Sequence, residues 1–169
     1  MSLTIPTAVP SMGTRRVLAL PTVANINAIK LSELTSAANI SCYLTRSGGW
    51  APTKEQASIQ HQPYCSSQDF EIPGAKSRQL MLQYTFNLND PDSDVARLEL
   101  EEGTPLTLVH LLQIDEDADT FAVGDWYEAV PVLMGEQNVV PMEDNALDRI
   151  QQKAFVRGEW TGLRQLVTT

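Results

Sequence analysis

The stretch from Phe70 to Gly103, FEIPGAKSRQLMLQYTFNLNDPDSDVARLELEEG, constrains the fold most, because its hydrophobic period changes partway along. From Gln79 to Asn87 the even positions Leu80, Leu82, Tyr84 and Phe86 are apolar, and the odd positions are polar except for Met81. A period of two describes a strand with one face buried and the other facing something wetter. The alternation stops at Asn89-Asp90-Pro91, where Asp90 can cap a helix and Pro91 suits its first turn. Asp92 and Asp94 then sit where the helix dipole favours carboxylates, and Gly103 supplies a left-handed stop. One α-helix over about residues 91–102 is expected, flanking a chain that otherwise reads as strand and turn.

Residues 1–14, MSLTIPTAVPSMGT, read as an N-terminal arm that becomes ordered against a partner, and 15–169 as a single β domain. Within that domain Arg15–Leu20 is a strand, and Lys30–Asn39 suggests helical turns with Ser32 as cap and Asn39 as stop. ISCYLTR at 40–46 alternates as a strand. Residues 47–75 are polar, opened by Gly48-Gly49 and closed by Pro73-Gly74; the weak alternation of Ala57, Ile59 and His61 points to an exposed β-arm. PLTLVHLLQI at 105–114 is apolar on both faces, as a central strand is. Pro131 assigns 125–135 to an edge or a bulge. Residues 145–157 and 160–167 read as a closing hairpin around Gly158. The expected fold is mainly β, a two-sheet β-sandwich or flattened barrel with one flanking helix.

A chain of 169 residues can bury roughly 70% of its unfolded surface without metal or disulfides. Its net charge of −9 argues against nucleic-acid binding, which is built from clustered Lys and Arg. The two cysteines, Cys42 and Cys65, make no disulfide framework and are expected as buried thiols in or beside strands. Arg15-Arg16 with VLALPTVA imitates an export signal, but Pro21 interrupts a short apolar run, so a strand and a reducing cytoplasm are expected. No stretch approaches the ~18 apolar residues of a membrane span.

Candidate chemistry is sparse. Asp115, Asp117 and Asp119 are spaced as in a calcium loop, yet Thr120 stands where glycine is needed and Trp126 where a glutamate belongs. A solvated turn explains them better. His110, inside an apolar strand, reads as a satisfied core histidine, and His61 has no nucleophile motif nearby. Glu101 and Glu102 fit a solvated helix end. With no nucleophile elbow, phosphate loop or HExxH pair, no enzyme, metal or cofactor is expected. Trp126 and Trp160 are expected in the core. Trp50, beside Gly48-Gly49, either folds back on the domain or anchors in a neighbouring chain.

Taken together, the turn SELTSAANISCYL (32–44), the arm segment CSSQDFEIPG (65–74), the strand LMLQYTFN (80–87), the helix start DPDSD (90–94) and the late strand QQKAFVRG (151–158) resemble the major tail tube proteins of long-tailed bacteriophages, particularly those of actinobacteria. The likeness spans nearly the whole chain. It implies a virion subunit assembled in the host cytoplasm into stacked hexameric rings, through which phage DNA passes without specific binding. Its implied partners are other copies of itself and tape-measure, tail-terminator and baseplate proteins. Inter-subunit contacts are expected at 1–14 and 47–75, including Trp50, Tyr64 and Phe70. Gln79, Gln83 and Thr85 are the lumen-facing candidates. A strongly acidic ring would repel DNA within a Debye length of about 8 Å. The alternatives are a tail-terminator or connector ring, and a monomeric β-sandwich binding module with exposed aromatics.

Overall fold

In the computed structural model, which describes residues 7–118 and 120–168, eight antiparallel strands form one sheet. β1 (Arg15–Leu20) lies between the two-residue β2 (Ala38–Asn39) and β5 (Pro105–Leu112). The order continues through β6 (Trp126–Val139), β7 (Arg149–Val156), β4 (Phe70–Thr85) and β3 (Trp50–His61), while β8 (Arg164–Gln165) adds to the start of β6. The mainly-β fold expected from the sequence is present, in its flattened-barrel form. Val17 and Ala19 of β1 share one apolar cluster with Leu80, Leu82 and Tyr84 of β4, although three strands separate them in the sheet.

The curl is closed by residues 38–45, which belong to both sides in turn. Asn39 sits opposite Leu18, the Ile40 N–H reaches the Val17 carbonyl at 3.1 Å, and Leu44 then bridges Tyr84, with the Thr45 N–H on the Gln83 carbonyl at 3.0 Å. Residues 40–46 are therefore a crossing with turns rather than the strand their alternation suggests. The Ser41 hydroxyl, accepting from the Val17 N–H at 2.8 Å, takes a place that a ladder bond would fill.

β1, β5 and β6 carry apolar side chains on both faces, because each is covered twice. Leu106, Leu108, Val130 and Val132 line the closed interior. Leu18, Val109, Leu111, Tyr127 and Ala129 pack instead under a 3-10 helix, Leu31–Ser36, and the C-terminal Leu166. The Tyr127 hydroxyl ties this cover down, accepting from the Ile29 N–H and donating to the Ile26 carbonyl, both at 3.0 Å. The helical turn expected at 30–39 is this shorter segment: Lys30, not Ser32, is its cap, and Asn39 belongs to β2.

Other expectations are corrected. The helix at 91–102 becomes a 3-10 turn, Pro91–Ser93, and α1, Val95–Glu99. Asp90 makes no side-chain cap; Asp94, buried, interrupts the run to accept from the Arg97 Nε at 2.9 Å and the Asn87 N–H at 3.2 Å. Gly103 does adopt the left-handed region, with φ of 78°. β6 is central rather than an edge. Pro131 is tolerated because its carbonyl accepts from the Arg157 N–H, so its nitrogen faces the side on which β7 ends after the Val132–Val156 pair. Residues 145–167 form no closing hairpin, since β7 pairs with β4 and β6 and β8 with β6. Trp126 is exposed and both cysteines are exposed, whereas Trp160 is buried as expected. Among the described residues no helix is long and apolar enough to cross a membrane.

Candidate assembly surface

The outer face of β1–β5–β6 is covered, but the outer faces of β4 and β7 are not, and β3 has no strand beyond it. Two surfaces follow. One is the β3–β4 ribbon, paired from Trp50–Leu82 out to His61–Phe70 with a bulge in β4, where Gly74 and Ala75 together oppose Ala57. Its inner end belongs to the barrel, while from Pro52 to His61 every residue of β3 is exposed. Gly74 allows the bulge, since a Cβ there would stand 3.0 Å from the Ala57 carbonyl oxygen. Beyond the bulge Ile59 pairs with Ile72 and His61 with Phe70, so these four side chains share one face, and all are exposed. Tyr64, on the connecting turn, is fully exposed.

The ribbon is gripped at its root. Glu128 of β6 accepts from Lys54 Nζ at 2.9 Å and Trp160 Nε1 at 3.1 Å, and lies 3.2 Å from His110 Nδ1. The Lys54 ammonium stands 4.3 Å from the Trp160 ring centroid, and Arg78 donates to the Trp160 carbonyl at 2.7 Å. The Trp50 ring packs on His110 at 4.8 Å and edge-on to Trp160 at 6.1 Å. Burial pushes the Glu128 carboxyl up, but hydrogen bonds from His110 and Lys54 and their charges outweigh it, holding the pKa at about 2. His110 is thus a satisfied core histidine, as expected, and Trp50 is half-buried on its own barrel. Lys54 and Glu128 gave no signal in the sequence: each is one polar residue in a strand.

The second surface is the outer face of β4 and its neighbours. Gln79, Met81, Gln83 and Thr85 point away from the buried Leu80, Leu82 and Tyr84. Gln83 sits opposite Gln151 of β7, which sits opposite Asn138 of β6, giving a row of three amides across three strands. Of the three sequence candidates Gln79 is exposed. Gln83 and Thr85 are half-buried because the crossing touches them: Thr45 Oγ1 lies 3.0 Å from Gln83 Oε1, and Thr85 Oγ1 donates to the Tyr43 carbonyl at 3.3 Å. Gln151 and Asn138 were missed, since neither lies in a strand with clean alternation. Beneath this face Gln152, fully buried, donates to the Leu100 and Gly135 carbonyls, both at 2.7 Å, and accepts from the Tyr84 hydroxyl at 2.9 Å.

Of the remaining candidates, Asp115–Asp117 form an exposed turn, and Asp119 lies outside the described residues, as does the 1–6 portion of the N-terminal arm. Residues 7–13 are exposed. Among the described residues no cluster of three or more His, Cys, Asp or Glu is arranged to hold a metal.

No curated protein matches the sequence. Among solved structures, the chain resembles one from a cryo-EM structure of the anti-feeding prophage baseplate, 6-fold symmetrised, at 13% identity. The match covers 97% of each chain with a TM-score of 0.52, a likeness of fold. Residues 2–169 match the family model described as phage tail tube protein. The chain belongs to the phage tail tube protein family and is a structural subunit of such a tube, a component of the virion tail.

Proposed function

We propose that six copies join edge to edge into a ring and that rings stack into the conduit through which the genome leaves. The observation that supports this reading is the long ribbon of β3 and β4, which has a free outer edge and apolar side chains, Ile59, Phe70 and Ile72, in water. Such an edge is a template for another strand. In this reading Tyr64, Phe70 and the rest of 47–75 contact other copies together with the arm 1–14, while Trp50 sets the angle of the ribbon from its root. Domain 15–169 is the wall.

Gln79, Gln83 and Thr85 face the bore, joined by Gln151 and Asn138. This face carries the amides together with two cations of β7, Arg149, which is paired with Glu143, and Lys153, opposite Met81, while the acidic side chains concentrate in loops such as 115–117 and 143–148. In this reading passing duplex DNA meets one cation per subunit without a carboxylate partner among the described residues, Lys153, and the ring's summed negative charge keeps it from settling. The role is mechanical, with no reaction and no cofactor. Tape-measure, tail-terminator and baseplate proteins meet the tube at its bore and ends, after assembly in the host cytoplasm.

Replacing residues 55–77 by an Asn-Gly turn tests the proposal while leaving the root intact, because Lys54 and Arg78 are already cross-strand partners. The expected product is a folded subunit that forms no tubes in negative-stain images. Full-length tubes from this variant refute the reading. A wild-type protein that stops at one ring supports a terminator or connector, and one that stays monomeric with its assembly factors present supports a binding module.

A further inference from the structure

A cleft of about 820 Å³ opens beside the ribbon's root, within the range of roughly 300–1,000 Å³ typical of ligand sites. Trp50, His110 and Leu44 line it, and Arg15, Arg16 and Arg46 surround them, with Glu116 the acidic group among the lining residues. Arg16 is engaged with backbone, donating to the Gly13 and Glu116 carbonyls at 2.8 Å. Arg15 and Arg46 are exposed, and among the described residues neither pairs with a carboxylate. The cleft is therefore cationic in a protein whose net charge is −9.

The outer ribbon has the opposite character. Residues 55–75 contain Glu55, Asp69 and Glu71 and no Lys or Arg. The Asp69 and Glu71 carboxylates are met by the neutral amides of Gln62 and Gln60, not by cations. Tyr64 stands fully exposed beside them. His61 lies eleven residues from Trp50, about 36 Å at the rise of a strand, so the tip does not reach the cleft of its own chain.

We propose that the tip, Tyr64–Asp69, seats in this cleft on a neighbouring copy, with Tyr64 towards Trp50 and His110 and Asp69 facing Arg15 and Arg46. The inference rests on the tube reading and deepens it by naming the surface that receives the arm. Donor and acceptor are different patches, so each copy gives one tip and receives one. That contact is head-to-tail and propagates from copy to copy.

The chain's only thiols report on it: Cys65 is on the tip, Cys42 lines the cleft, and both are exposed. Assembled wild-type protein treated with a short bis-maleimide should give a ladder of covalent dimers, trimers and longer species on denaturing gels. Peptide mass spectrometry should find Cys42 joined to Cys65, and Cys42→Ser or Cys65→Ser should abolish the ladder. Arg15→Glu with Arg46→Glu should lower the linked fraction by about tenfold or more, as like charges then face each other. Adding Asp69→Arg and Glu71→Arg to that variant should restore it. Tubes seen by microscopy in which Cys65 stays unlinked, links only to another Cys65, or shows no charge rescue overturn the docking and leave the tube reading standing. Wild-type protein that forms no tubes with its assembly factors overturns both.

Discussion

Glu128→Gln isolates the ionic part of the grip on the ribbon, because it keeps the side chain's shape and an acceptor oxygen for Trp160 and Lys54, while its amide replaces the oxygen that faces His110 and the charge is removed. In the folded protein the carboxyl has a pKa of about 2, against 4.5 for an unperturbed glutamate. Each pKa unit is worth about 1.4 kcal/mol, so the ionised group contributes at most about 3.5 kcal/mol at neutral pH. The side chain of Glu128 is 16% exposed, which justifies the conversion, but that of Lys54 is 45% exposed, and solvent screening lowers the expected loss to about 2–3 kcal/mol. For a domain of this size that is a fall in Tm of roughly 5–10 °C. The folded pKa lies below the unfolded one, so the stabilisation is complete above pH 4.5 and vanishes as the pH falls through about 2. Urea titrations of both proteins from pH 7 to pH 2.5 should show curves that converge on acidification, with a gap under about 1 kcal/mol at the acid end. Amide exchange should quicken in the variant at 51–56 and 78–81. A pH-independent difference, or one below about 1 kcal/mol at pH 7, refutes the assignment of Glu128 as the ionic anchor.

Two further substitutions probe how the barrel is closed and filled. Gln152→Leu leaves the Leu100 and Gly135 carbonyls and the Tyr84 hydroxyl without their partner, and should cost about 2–4 kcal/mol in urea unfolding. A neutral result shows that water replaces the amide. Gly49→Ala places a Cβ 2.2 Å from the Thr45 carbonyl oxygen, where backbone must move, and should cost about 1–3 kcal/mol by loosening the crossing from β4. An unchanged midpoint shows that the crossing is not needed for closure.

How much of this was legible depends on whether a residue's role is local. The Leu80–Leu82–Tyr84 face could be read because alternation alone marks a half-buried strand. β5 could be read because an apolar run bounded by turns is what a doubly covered strand requires. Residues 40–46 misled for the same reason: Ile40 and Leu44 are apolar because the segment crosses from β1 to β4, a consequence of closure that no window of sequence contains. Trp126 and the two cysteines were placed by residue type, yet their burial is set by where the strands end. The helix was overestimated because Asp90-Pro91 and Gly103 are correct boundary signals, whereas the buried Asp94 interrupts the segment between them. The candidate site divides in the same way. The exposed arm was visible as a polar stretch with a weak apolar alternation, but the Lys54–Glu128–Trp160 grip joins residues up to 106 positions apart.

The ribbon also explains why assembly should be steep rather than gradual. A two-stranded ribbon exposed on both faces is at best marginally stable, and here only its root is held. Ile59, Phe70 and Ile72 are about half exposed, so burying the remainder of any one against another copy is worth roughly 1–1.5 kcal/mol, less the entropy of ordering the ribbon. A single arm contact is therefore weak. In the proposed ring every copy would both give and receive an arm, and a subunit held by one neighbour would present its arm to the next at high effective concentration. Removing the apolar side chains one at a time, by Ile59→Ser, Phe70→Ser or Ile72→Ser, should lower monomer stability by no more than about 1 kcal/mol, because about half of each side chain is already in water and the rest meets only its cross-strand partner. The concentration needed for tube growth should nevertheless rise by about tenfold or more. Equal loss of monomer stability places these side chains in the subunit's own fold, and an unchanged threshold for growth removes the arm from the assembly interface.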